Sequence, residues 1–174
     1  MNRLSVPVLA LVLLAAGCTK NSTSATTNTP AAANPTFTAA LSPANEVPPV
    51  TNAESGVSGT ANITFATTKD AAGNITSATV TFAVTLGGFP AGSAINIAHI
   101  HEGASTCACP VVVNTTLAAG DVTVANGLTS FTKTVSADAA VTQRILANPS
   151  GFYFNVHSTL NPGGVARGTL VKLG

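Results

Sequence analysis

Charge is scarce in this chain. Lys and Arg number seven and Asp and Glu six, so 7% of its 174 residues are charged, against about 25% in an average soluble protein. The formal net charge is +1 with no basic run, which leaves no electrostatic footprint for nucleic acid. Tryptophan is missing altogether. So are a Gly-x-Ser-x-Gly elbow, a Walker loop and a His-Glu-x-x-His pair, which removes the sequence support for nucleophile-elbow hydrolysis, P-loop nucleotide chemistry and zincin chemistry. Ser158 adjoins His157, but neighbours on a strand point to opposite faces and do not form a triad.

What remains is dominated by Ala, Thr, Val, Asn and Gly, a composition that favours a β-rich fold. The length fits one domain and an export segment.

That segment is MNRLSVPVLALVLLAAGC. Arg3 supplies a positive start and Leu4 to Ala16 an apolar run too short to span a bilayer, the pattern of an export signal. Ala15-Ala16-Gly17-Cys18 resembles the bacterial lipobox, in which small residues precede a cysteine that is acylated and becomes the new N-terminus. Several acyl chains, at about 0.8 kcal/mol per buried CH₂, hold a protein stably on a membrane. Thr19 follows Cys18, where an aspartate would resemble an inner-membrane retention signal; the expected location is the bacterial cell envelope, at the outer membrane. Residues 1–17 are thus read as signal peptide and 18–35, rich in Ser, Thr, Asn, Ala and Pro, as a flexible lipid-anchored linker, because such a stretch cannot bury enough apolar surface to order itself.

From residue 36 the pattern becomes short runs of Val, Ile, Thr and Phe bounded by Gly, Pro and Asn, the signature of strands and turns. Strands are expected at 37–41, 56–67, 75–86, 94–101, 111–114, 128–135, 152–158 and 165–173. Ala78, Val80, Phe82, Val84 and Leu86 alternate with Thr79, Thr81, Ala83 and Thr85, which places one face of that strand on the core. The turn at 71–74 makes it one arm of a hairpin. A single helix is expected after Ser136 as N-cap, with Val141, Ile145 and Leu146 as its apolar stripe and Asn148 to Gly151 as its end. Many short antiparallel strands and one short helix specify an all-β fold, a Greek-key β-sandwich.

Three stretches, LSPANEVPPVTNAESGVSGTANITF (41–65), IAHIHEGASTCACPVVV (97–113) and GFYFNVHSTLNPGGVARGTL (151–170), together resemble the CHRD (chordin-type) domain, found also in exported bacterial proteins. The resemblance covers nearly all of a domain drawn at 36–174. It implies an immunoglobulin-like or Cu,Zn superoxide dismutase-like sandwich, and leaves the activity poorly defined. The chain departs from the family at Val165-Ala166, where the usual pattern has an acidic residue, and at Cys107-Ala108-Cys109, inserted in a loop that is ordinarily free of cysteine.

His99 and His101 stand at i and i+2 of an expected strand, so their side chains leave the same face about 6.5–7 Å apart at Cα. His-Ile-His-Glu-Gly is similar to the strand-borne His-x-His of Cu,Zn superoxide dismutase, and Asn155-Val156-His157 to the place where another copper ligand returns. A metal site of His99, His101 and His157 is one reading, with copper first and zinc second. The other is a pair of polar residues on a sheet face, hydrogen-bonded to a loop. A bridged copper–zinc centre needs more than the three histidines present, which leaves a superoxide-active copper enzyme as a distant alternative. Glu102 either orients a histidine or is a solvated residue at a strand end.

With Cys18 assigned to lipid, Cys107 and Cys109 form an even pair in an oxidising compartment. They close a disulfide if Ala108 lies in a turn, or they supply thiolates to copper(I), or they stay free. Glu46 and Arg167 are isolated charges expected to make a structural hydrogen bond or ion pair, and Gly163 and Gly164 are read as turn glycines. The expected role is that of a cell-envelope lipoprotein with a non-catalytic interaction or structural domain. Its partners are the membrane, through the lipid, and an envelope protein; metal binding is the alternative function.

Overall fold

The computed structural model describes residues 33–174; the expected signal peptide, Cys18 and most of the expected linker lie outside the described residues. Nine strands form two antiparallel sheets: β1 (Thr36–Leu41), β2 (Ser58–Lys69), β3 (Ile75–Gly87), β4 (Ile95–Glu102), β5 (Val111–Asn114), β6 (Leu128–Ala137), β7 (Phe152–Ser158), β8 (Ala166–Thr169) and β9 (Val171–Lys172). One sheet has the order β6-β3-β2-β1-β9 and the other β5-β4-β7-β8. Among the described residues the fold is an all-β sandwich with one short α-helix, α1 (Ala139–Ala147).

Period-2 alternation builds the core. Ala61, Ile63 and Phe65 of β2 and Val80, Phe82, Val84 and Leu86 of β3 point inward and are buried. From the other sheet come Ala98 and Ile100 of β4 and Phe152, Phe154 and Val156 of β7. Phe82 stacks on Phe154 across the sandwich with ring centroids 5.4 Å apart, an offset contact typical of aromatic pairs. The β2–β3 turn is closed by Asn74 N donating to Asp70 Oδ1 at 2.8 Å.

Two expected elements differ from the structure. The helix is capped by Asp138, whose side chain accepts from Val141 N at 2.9 Å. Ser136 is instead still paired with Thr79 in the β6–β3 ladder, so the strand outlasts the earlier cap candidate and holds it extended. Replacing Asp138 by Ala is therefore expected to lower stability by about 1 kcal/mol, with Ser136→Ala near neutral; thermal melting of the two variants checks it. The expected last strand, 165–173, is two strands. β8 pairs with β7 in the four-stranded sheet, whereas β9 pairs with β1 in the other. Leu170, 1% exposed between them, turns inward where the chain changes sheets, the usual way a strand forms a sandwich corner.

One strand breaks the simple inside–outside rule. All seven residues of β7 are buried, although only its inward face meets the apolar core. Its outward face, with that of β4, lies beneath loops, and there the polar residues are gathered.

Candidate metal centre

The register of the four-stranded sheet brings the three histidines together. His99 is paired with Asn155, and His157 with Ile97, two residue pairs further along the β4–β7 ladder. His99, His101 and His157 therefore share the outward face of two neighbouring strands. Each offers one ring nitrogen, and these nitrogens all lie within 4.8 Å of one another. The ring centroids of His99 stand 4.5 Å from those of both His101 and His157. All three residues are at most 8% exposed.

Two of the rings have their far nitrogen tied to a backbone carbonyl. His101 Nδ1 lies 2.6 Å from Cys109 O and His157 Nδ1 2.8 Å from Pro162 O. A carbonyl only accepts, so each Nδ1 carries the proton and each Nε2 keeps its lone pair. Both Nε2 atoms, and His99 Nδ1, are buried without a hydrogen-bond partner. Protonating any of these rings is unfavourable. Burial, with the neighbouring His157 and His101, pushes His99 down to about 3. Burial lowers His101 and His157 too, against the opposing pull of the Cys109 and Pro162 carbonyls. The result is three neutral imidazoles, the form that binds a metal.

The loop 103–110 covers this face. Cys107 and Cys109 are disulfide-bonded with Cα atoms 5.3 Å apart, and the turn that allows this has Cys107 N donating to Ala104 O at 3.1 Å. Gly103, at φ +142°, passes so close beneath that a Cβ there would stand 2.1 Å from Cys109 Sγ. The bridged turn is fastened to the sheet by its backbone. Cys107 O accepts from Tyr153 Oη at 2.8 Å and from Arg167 Nη1 at 2.8 Å, and Cys109 N donates to Tyr153 Oη at 3.1 Å.

Tyr153 in turn stacks on the His101 ring, centroids 4.6 Å apart and planes 5° from parallel, and the Arg167 guanidinium carbon lies 4.9 Å from the Tyr153 ring centroid. Arg167 and Glu46, far apart in sequence, form a buried ion pair: Nε and Nη2 lie 2.7 and 2.5 Å from Glu46 Oε2. Burial pushes the Glu46 carboxyl above its usual range, against the lowering pull of Arg167.

Glu102 does not orient a histidine. It makes a bidentate pair with Arg144 of α1, Oε1 and Oε2 each 2.9 Å from a guanidinium nitrogen, at the exposed strand end; the carbonyls of Cys109 and Pro162 hold the rings instead. Of the two expected turn glycines only Gly164 has positive φ, +132°. Ser158 faces away from His157 and donates to the buried Glu54 at 2.5 Å. Val165 and Ala166, where the family pattern has an acid, are fully buried and apolar. Tyr153 and Asn155 were not among the expected site residues. Their signal is their spacing, since residues 153, 155 and 157 of one strand share a face.

The family model of the CHRD domain matches residues 37–170. The chain belongs to the CHRD domain family. Comparisons with curated proteins and with solved structures find no match. In this CHRD domain the three stretches that carry the resemblance meet around one site: 41–65 brings Glu46, 97–113 brings the histidine pair and the bridged loop, and 151–170 brings Tyr153, His157 and Arg167. Among the described residues no helix is long and apolar enough to cross a membrane.

Proposed function

We propose that the chain is an exported, lipid-anchored envelope protein whose CHRD domain is a non-catalytic binding module, and that its ligand is a transition-metal ion, copper first and zinc second. The observation that carries the metal reading is the set of three buried histidines, each offering one ring nitrogen within 4.8 Å of the others and each having a ring nitrogen without a hydrogen-bond partner. A buried lone pair without a partner is costly, and three converging ones are offset together by a single cation. An ion central to nitrogens so spaced lies within about 2.8 Å of each, and small ring rotations bring this to the ~2.0–2.1 Å of a metal–imidazole bond. Three neutral imidazoles suit copper and zinc.

The carbonyls behind His101 and His157 support the same reading, because ligating histidines ordinarily donate their second N–H in this way. Arg167 supports a binding role over superoxide chemistry. Its guanidinium is spent on Glu46, Cys107 O and Ser105 O, leaving it poorly placed to attract an anion.

Titration of the purified protein with Cu²⁺ and Zn²⁺ tests the proposal. One ion per chain is expected, with affinity falling at least about 100-fold in the variant His99→Ala/His101→Ala. Equal, weak uptake by both proteins would remove the histidines as ligands. For the anchor, Cys18→Ser is expected to move the protein from the membrane fraction to the soluble one. Unchanged fractionation would count against lipidation.

A further inference from the structure

Asn155 occupies the middle of the buried polar face. It is paired with His99 across one strand boundary and with Arg167 across the other, while His157 lies two residues along its own strand. The residue is 1% exposed, and its Oδ1 has no hydrogen-bond partner. Its amide nitrogen is turned towards Glu46. Both lie over Gly164, where a Cβ would stand 2.7 Å from Asn155 Nδ2 and 2.5 and 2.7 Å from the two carboxylate oxygens, so only glycine leaves them room. The contact favours the charged carboxylate. The amide nitrogen lies beside the Glu46 carboxylate over Gly164, the oxygen is the amide atom left without a partner, and the register places the residue on the same face as His99 and His157.

The buried polar atoms left without a partner around Asn155 are all lone-pair carriers: His99 Nδ1, His101 Nε2, His157 Nε2, Asn155 Oδ1 and Glu46 Oε1. A cation satisfies the nitrogens. An amide oxygen is a poor ligand for copper or zinc beside imidazole, but it is a good acceptor for a proton on something the cation holds. Paired residues on adjacent strands have Cβ atoms about 4.5–5.5 Å apart, the reach for such an indirect contact. We propose that the metal's fourth position holds a water molecule that donates a hydrogen bond to Asn155 Oδ1. Asn155 is then a positioning residue that selects hydrogen-bond donors over ligands that only accept, and Glu46 with Arg167 fixes its orientation. This inference rests on the three-histidine reading.

The test loads the full chain with one equivalent of Cu²⁺ and measures longitudinal relaxation of solvent protons, which an exchangeable water on copper accelerates. Azide, which has lone pairs and no proton to donate, is then titrated through its charge-transfer band. Wild-type protein is expected to show the relaxation enhancement. Asn155→Leu is expected to bind azide about five- to ten-fold more tightly, the factor one lost hydrogen bond to the competing water is worth, while Asn155→Asp, which keeps an acceptor, stays at or below the wild-type affinity. Copper bound one per chain without relaxation enhancement, through direct amide ligation or a dry site, overturns the inference, and so do equal azide affinities in wild type and Asn155→Leu. Absence of copper binding overturns the three-histidine reading itself. The wild-type relaxation measurement stands even if Asn155→Leu fails to fold.

Discussion

Replacing Arg167 by leucine is expected to lower the unfolding free energy by about 3–5 kcal/mol, the loss that follows when one partner of a buried ion pair is removed. Glu46 and Arg167 are 3% and 2% exposed, so water cannot take the missing partner's place. The guanidinium also holds Cys107 O and covers the Tyr153 ring, so the bridged loop loses a fastening at the same time. The paired replacement Glu46→Leu/Arg167→Leu leaves no buried charge and is expected to recover part of the loss. Urea unfolding of the three proteins checks both statements. A double variant no more stable than Arg167→Leu would shift the stabilising role from the charge pair to the loop carbonyl and the tyrosine.

The metal-free domain is expected to lose stability steeply as the pH falls below about 6.5, the ordinary histidine value. His99, His101 and His157 all have lowered values in the folded protein, so below 6.5 the unfolded chain binds more protons than the folded one. Stability from these groups is complete above the unfolded value and is lost as the pH falls towards the folded values. Each histidine contributes a slope of up to about 1.4 kcal/mol per pH unit. His99, pushed down to about 3, alone accounts for a loss on the order of 4 kcal/mol across that window. Glu46, raised by burial, works the other way and retains its proton more readily when folded. Urea midpoints between pH 7 and 5, where most carboxylates remain ionised, read the histidines most directly. His99→Ala should flatten the curve, and an unchanged slope would assign the acid sensitivity elsewhere. Metal bound to the three rings should shift the onset of the loss to lower pH, because protons must then displace it.

Much of the fold was legible because strands advertise themselves by period 2. The alternation in 75–86 placed β3 within one residue, and the same rule put His99 and His101 on one face. The meeting of His157 with that pair depended on β7 lying beside β4, a long-range pairing that local pattern does not encode; the similarity of Asn155-Val156-His157 to the place where a copper ligand returns in Cu,Zn superoxide dismutase supplied it as an expectation. Ser136 and Asp138 are both good N-caps, and only the length of the β6–β3 ladder decides between them. The corner at Leu170 looked like continuous strand because an apolar residue there suits either sheet. Glu46 and Arg167 read as isolated charges since nothing local joins residues so distant. The largest gap was the burial of the outward face. Residues 103–110 read as a loop with nothing local to say that it covers the histidines, and the carbonyls of Cys109 and Pro162 that hold the histidine rings carry no side-chain signal at all.

β4 and β7 carry different chemistry on their two sides: Ile100, Phe154 and Val156 enter the core, whereas His101, Asn155 and His157 enter the polar layer. A slip of β7 by one residue would turn Phe154 and Val156 outward and Asn155 and His157 inward. In most half-solvated sheets that error is opposed from one side, by apolar residues driven into water. Here it is opposed from both, because asparagine and histidine would enter a dry apolar core while phenylalanine and valine faced the Glu46–Arg167 pair. The buried polar layer therefore acts as a second proofreader of strand alignment, and this central strand pair is specified more tightly than its hydrophobic side alone would make it.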